Sequence, residues 1–178
     1  MQTSIPGVYA AGDTRAQLAK QITTAVGDAT TAVLHAERYI EELKHTEKVF
    51  PKAPRAAVAE TASRMTILTF PPGAVVMRQG DKSDRFYVIA KGEADVVRPD
   101  AKGAEPVLHT LHAGDYFGEV GILSGHARNA TVRAKTSLEV MALDSNAFRT
   151  LMASSQATSD EVARVAKERS HLEDGAAD

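Results

Sequence analysis

Residues 117–134 read F-G-E-V-G-I-L-S-G-H-A-R-N-A-T-V-R-A and lie between two segments of strand character. Gly118 and Gly121 let the backbone approach a bound group closely. The intervening residues can form one short helix, whose free N–H groups make an anion site. Arg128, seven residues beyond Gly121, supplies a planar fork that pairs with a phosphate in bidentate fashion. Glu119 offers an acceptor for a sugar hydroxyl, since a carboxylate this close to a phosphate would repel it unless it faced the sugar. Taken alone, the same residues fit a surface turn and helix on which Glu119 and Arg128 merely pair with each other. The ordered strands and turns on both sides favour the binding reading.

Working outward, the spacing predicts strands over 65–70, 75–79, 85–90, 94–98, 107–111, 130–134 and 138–143. Pro71-Pro72-Gly73, Gly80-Asp81, Lys91-Gly92, the stretch 100–103 and Ala113-Gly114-Asp115 separate them with turn chemistry. Seven short strands at this spacing indicate a sandwich or barrel rather than a parallel sheet. Ahead of them, 14–43 reads as one long helix with apolar or small residues at Leu18, Ile22, Ala25, Ala29, Val33, Ala36, Ile40 and Leu43. That stripe is expected to be covered by the barrel or by a second copy. Pro51 and Pro54 interrupt the pattern over 44–55, and 56–64 suits a short helix. Beyond Asp144 the helical period returns at Phe148, Leu151 and Met152, then at Val162, Val165, Ala166, Arg169 and Leu172.

Composition narrows the function classes. The 178 residues carry a formal charge of -2, 43% hydrophobic and 25% charged residues, which suits a folded globular chain with no general attraction to nucleic acid. There is no cysteine, so thiolate metal sites and dithiol redox centres are excluded, as fits a cytoplasmic protein. No apolar run approaches the length that spans a bilayer, so no membrane partner is expected. His109 and His112 are the only close histidines. Three apart in a strand, they fall on opposite faces, so no metal site is expected.

The glycine-marked strands and the cassette resemble the cyclic-nucleotide-binding domain of the catabolite activator protein and of the regulatory subunits of cAMP-dependent protein kinase. The resemblance covers about residues 60–155. It implies a mainly β fold, an eight-stranded β-roll of jelly-roll type flanked by helices. It also implies that Glu119 takes the ribose 2′-hydroxyl and Arg128 the cyclic phosphate, with the N–H groups of Val120 and Gly121 completing the phosphate nest. Phe117, Gly118, Asn129 and Ala130 complete the expected binding set. The ligand is a cyclic nucleotide, cAMP favoured over cGMP, with no other cofactor. The C-terminal helix, through Val165, Arg169 and Leu172, is either a lid over the base or a helix packed permanently on the roll or on a dimer partner.

A second resemblance lies in residues 3–40. T-S-I-P-G-V-Y-A-A-G-D, followed by Lys20-Gln21 and ending in A-E-R-Y-I, is similar to the last flavin-contacting segment of thioredoxin reductase-like flavoproteins. By that similarity Gly12, Asp13 and Gln21 are a vestigial FAD motif, with Asp13 at the place of the carboxylate that meets the ribityl chain. The chain lacks a G-x-G-x-x-G fingerprint after a strand and a C-x-x-C pair, so stable FAD binding is expected only in a longer parent protein.

The organisation expected is therefore 1–44 as a reductase-like strand and long helix, 45–59 as linker and short helix, 60–155 as the roll, and 156–178 as C-terminal helix and tail. The leading function is a non-catalytic cyclic-nucleotide-binding regulatory module, associated with a thioredoxin reductase-like flavoprotein and able to form a homodimer through its terminal helices. One alternative is a fragment of an FAD-dependent pyridine nucleotide-disulfide oxidoreductase carrying a regulatory domain. Another is a truncated transcription regulator of the catabolite activator type, which would need a helix-turn-helix after the long helix.

Overall fold

The computed structural model describes residues 3, 4, 8, 10, 22–99 and 103–175, without the side chains of 22–29 and 171–175. The vestigial flavin residues Gly12, Asp13 and Gln21 lie outside the described residues.

Among the described residues eight strands form two four-stranded antiparallel sheets. β1 (Thr66–Phe70), β8 (Leu138–Asp144), β3 (Arg85–Lys91) and β6 (Tyr116–Phe117) make one sheet, in that order. The other runs β2 (Val75–Met77), β7 (Thr131–Ala134), β4 (Ala94–Val97), β5 (Val107–Leu111). Among the described residues five helices flank them: α1 (Ile22–Val49), α2 (Arg55–Arg64), α3 (Glu119–Ser124), α4 (Ser145–Ala153) and α5 (Gln156–Gly175). This is the β-roll that the family resemblance implies, and it meets the sandwich or barrel expected from the turn spacing.

The burial of β3 and β8 explains both sheets. Successive side chains of a strand point to opposite faces. Tyr87 and Ile89 of β3, with Val140 and Ala142 of β8, enter the core between the sheets. Phe86 and Val88, with Met141 and Leu143, enter a second core against Phe50, Ile122, Phe148, Leu151 and Val162. Strands covered on both faces read as unbroken apolar runs, as F-Y-V-I-A and V-M-A-L do. Phe86 stacks on Phe148 at 4.5 Å between centroids, which ties α4 to this sheet.

One expectation is corrected and one is narrowed. The first concerns the end of the long helix, expected at residue 43. α1 continues to Val49 because Thr46, fully buried, donates its hydroxyl proton to the Glu42 carbonyl at 2.7 Å and sits against Met65 sulfur. Lys44, Glu47 and Lys48 around it face water, and the helix stops only where Pro51 removes a donor. The second concerns the helix stripe, expected under the roll or a second copy: among its described positions the roll leaves two open. Val33 and Ile40 are 56% and 48% exposed, as is their neighbour Leu34 at 59%. β6, the eighth strand, is only two residues long and carries no period of its own. Among the described residues no helix is long and apolar enough to cross a membrane.

Candidate functional site

The cassette is built by β6, α3 and the start of β7. Gly118 adopts φ 87°, a left-handed conformation that turns the chain from β6 into α3, and a Cβ there would lie 2.7 Å from Arg128 Nη1 and 3.0 Å from the Arg85 carbonyl. Gly121 has a packing reason of its own. Its missing Cβ makes room for Ser83 and the His126 carbonyl, so it lets α3 sit against the β2–β3 loop. That loop grips the cassette from behind. Ser83 Oγ donates to the His126 carbonyl at 2.8 Å, Gly80 N to the Arg128 carbonyl at 2.8 Å, and Arg128 N to the Asp81 carbonyl at 2.9 Å.

Glu119 and Arg128 are not a surface pair. Both are buried, at 1% and 3% exposure, and each has its own partners. Arg128 donates through Nη1 to the Gly118 carbonyl at 2.8 Å and through Nη2 to the Arg85 carbonyl at 2.5 Å, with Asp84 at 3.7 Å. Its guanidinium lies 5.9 Å from the centre of the Tyr87 ring, which itself stacks on Phe117. Burial pulls the guanidinium below its ordinary basicity, while Tyr87 and Asp84 oppose that shift.

Glu119 Oε1 accepts a hydrogen bond from Arg169 Nη1 at 2.7 Å, across fifty residues of sequence. The same nitrogen donates to the Tyr116 carbonyl at 2.7 Å, and the guanidinium lies 4.9 Å from the centre of the Tyr116 ring. Glu119 Oε2 is buried and has no hydrogen-bond partner among the described residues. Burial pushes the carboxyl pKa up, against the opposing pull of Arg169. Burial, with the Glu119 charge, pushes the Tyr116 phenol up to about 12.

A cavity of about 310 Å³, open mouth included, lies beside Glu119 and Arg169, whereas Arg128 and Gly121 are not among the residues that line it and Arg128 stands behind Gly118. Phe117, Gly118, Glu119, Val120, Asn129 and Ala130 line one side, and Met77, Val96, His109, Leu111 and Val132 the other, with Arg169 at its edge. Of the three residues expected on the C-terminal helix, only Arg169 has its side chain in this cavity. Val165 faces a separate pocket with Phe50 and Tyr116, and the side chain of Leu172 lies outside the described set. His109 was passed over in the sequence as half of an unpromising histidine pair. The signal that marks it is its shared strand face with Leu111, two residues on.

A two-sheet roll with a glycine-turned helix, a buried glutamate on the wall of a cavity and a buried arginine behind that wall defines a class of small-ligand-binding regulatory domains. The profile of the cyclic nucleotide-binding domain matches residues 67–155, half of the chain, and the chain belongs to that family. It is 41% identical over 91 residues to a cAMP-dependent protein kinase regulatory subunit of Blastocladiella emersonii, covering 51% of this chain and 23% of that protein. It is 34% identical over 121 residues to a cyclic nucleotide-gated potassium channel of Rhizobium etli, covering 68% of this chain and 32% of the channel. The chain thus spans about a quarter to a third of the length of these relatives. Among solved structures, the regulatory domain of Toxoplasma gondii protein kinase A with cAMP superposes with a TM-score of 0.70 at 23% identity, over 77% of this chain and 52% of that one.

Proposed function

We propose that this chain senses a 3′,5′-cyclic nucleotide, with cAMP the favoured ligand, and does no catalysis of its own. The observation that carries the reading is Glu119 Oε2, buried at the cavity wall with no hydrogen-bond partner among the described residues, while Arg128 stands directly behind Gly118 of the same wall. A ribose 2′-hydroxyl is a donor that would satisfy that oxygen, and a buried acceptor without one costs free energy. Arg128 carries five N–H donors, of which the two carbonyls take two, so further donors remain for the cyclic phosphate. The N–H groups of Val120 and Gly121, in the first turn of α3, have no partners within the helix and add to that cradle. Arg169 would then connect the filled site to α5, because it shares the Glu119 carboxylate with the ribose. The named relatives are cAMP-dependent and cyclic nucleotide-gated proteins, which supports the same ligand class.

The residues over 3–40 support a wider setting, in which the sensor is attached to a thioredoxin reductase-like flavoprotein in the cytoplasm and α1 meets a second copy of the chain through Val33 and Ile40. Isothermal titration of the chain with cAMP and cGMP tests the core of the proposal. Saturable heat with cAMP is expected, and no heat or thermal shift with either ligand at millimolar concentration would sink it. Flavin absorbance in the purified parent protein tests the setting independently.

A further inference from the structure

The row of inward side chains across the second sheet is apolar except at its end. Strand pairing sets Met77 opposite Val132, Val132 opposite Val96, and Val96 opposite His109, and all four line the cavity. His109 thus ends, on the edge strand β5, a flat floor of aliphatic side chains. It is half-buried, and among the described residues neither of its ring nitrogens has a hydrogen-bond partner. Burial pushes its pKa below the ordinary imidazole range, the Arg169 charge adds to that, and Asp115 opposes it. A neutral imidazole offers one donor and one acceptor.

Its place fits a particular part of a nucleotide. Ala130 and Arg128 mark the phosphate end at the start of β7, and His109 lies two strands away, roughly 10 Å at the usual strand spacing. That is the scale separating the phosphate of a nucleotide from the far edge of its base. Aliphatic side chains accept the face of any purine alike, so along this row the polar group at its end is the one that can distinguish purines by their edges.

Building on the cyclic-nucleotide reading, we infer that His109 is a specificity-determining residue that hydrogen-bonds the six-membered-ring edge of the purine and sets the choice between 6-amino and 6-oxo bases. The test uses the folded chain, His109→Leu and His109→Phe, each titrated with the 3′,5′-cyclic monophosphates of adenosine, inosine, guanosine and unsubstituted purine riboside. The wild type should separate adenosine from inosine by about tenfold in Kd, the scale of one hydrogen bond in a half-buried site. Either variant should bring that ratio to within about threefold while leaving the unsubstituted purine ligand nearly unchanged. Both replacements delete the ring nitrogens, so one folded variant suffices. The inference is overturned if the wild type does not separate the two bases, if the ratio survives in the variants, or if all four ligands weaken equally. A wild type that binds none of the four overturns the sensor reading itself, a result distinct from these three.

Discussion

Arg128 does two jobs that a variant separates. Its guanidinium holds the Gly118 and Arg85 carbonyls in a buried site, so it shapes the cassette before any ligand arrives. Arg128→Ala leaves both carbonyls unpaired and should cost about 3 kcal/mol in urea unfolding, besides weakening cAMP by at least tenfold in titration. Arg128→Lys keeps the charge but cannot span both carbonyls, so it should recover only part of either loss. Glu119 makes a prediction about pH. Its carboxyl is raised above the ordinary value of 4.5 in the folded chain, so folding favours the protonated form. Below about pH 4.5 the group is protonated in folded and unfolded chains alike and carries no burial penalty. As pH rises through its raised value, the folded chain must bury a carboxylate and loses that stability. Urea midpoints of wild type and Glu119→Gln at pH 4 and pH 7.5 should therefore shift in favour of the glutamine variant as pH rises. A shift the other way would show that the ion pair with Arg169 outweighs burial.

At the scale of elements, what the sequence displays depends on whether an element carries its own period. The seven longer strands are legible because β3 and β8 are apolar on both faces and glycine turns fence them. Gly92, for one, has φ +90° and stands where a Cβ would collide with the Ser137 carbonyl. β6 has two residues and no period, so only its pairing of Tyr87 with Phe117 and Val88 with Tyr116 reveals it. The last turn of α1 is hidden by charge, since Thr46 and Glu42 are polar yet buried. In the site, the pattern points to Glu119 and Arg128, but their partners Arg169, Arg85 and the β2–β3 loop are 40 to 50 residues distant, and only the folded chain brings them together. Gly121 shows the same limit, for its neighbour is Ser83. Gly121→Ala should destabilise the chain by about 2 kcal/mol in thermal or urea unfolding, as overpacking does. Pairing it with Ser83→Gly should recover much of that loss. An equal loss in the double variant would place the constraint at His126 instead.

For the whole molecule, the question is how a filled cavity would be felt at the C-terminal helix. α5 is held by the buried side chains Val162 and Ala166, by an ion pair between Lys52 and Glu161 at 3.0 Å, and by Arg169. Of these, only Arg169 reaches the ligand cavity, where it shares the carboxylate proposed to hold the ribose. A coupling of two sites requires one element that both bias, and Arg169 is the place where ligand and helix meet. Hydrogen exchange resolves this by region. Saturating cAMP should stabilise the chain by about 2.7 kcal/mol at a hundred times its Kd. The same ligand should slow exchange in the half of α5 around Arg169 as well as in α3. In Arg169→Ala the protection of α3 by ligand should persist, because Glu119 and Arg128 remain, while the added protection of α5 should be lost. The core strands β3 and β8 should exchange as in the wild type, since no side chain of theirs touches Arg169 in the site. Protection of α5 that survives the substitution would assign the coupling to the apolar contacts of Val162 and Ala166, and the helix would then be a fixed wall of the roll rather than an element that responds to ligand.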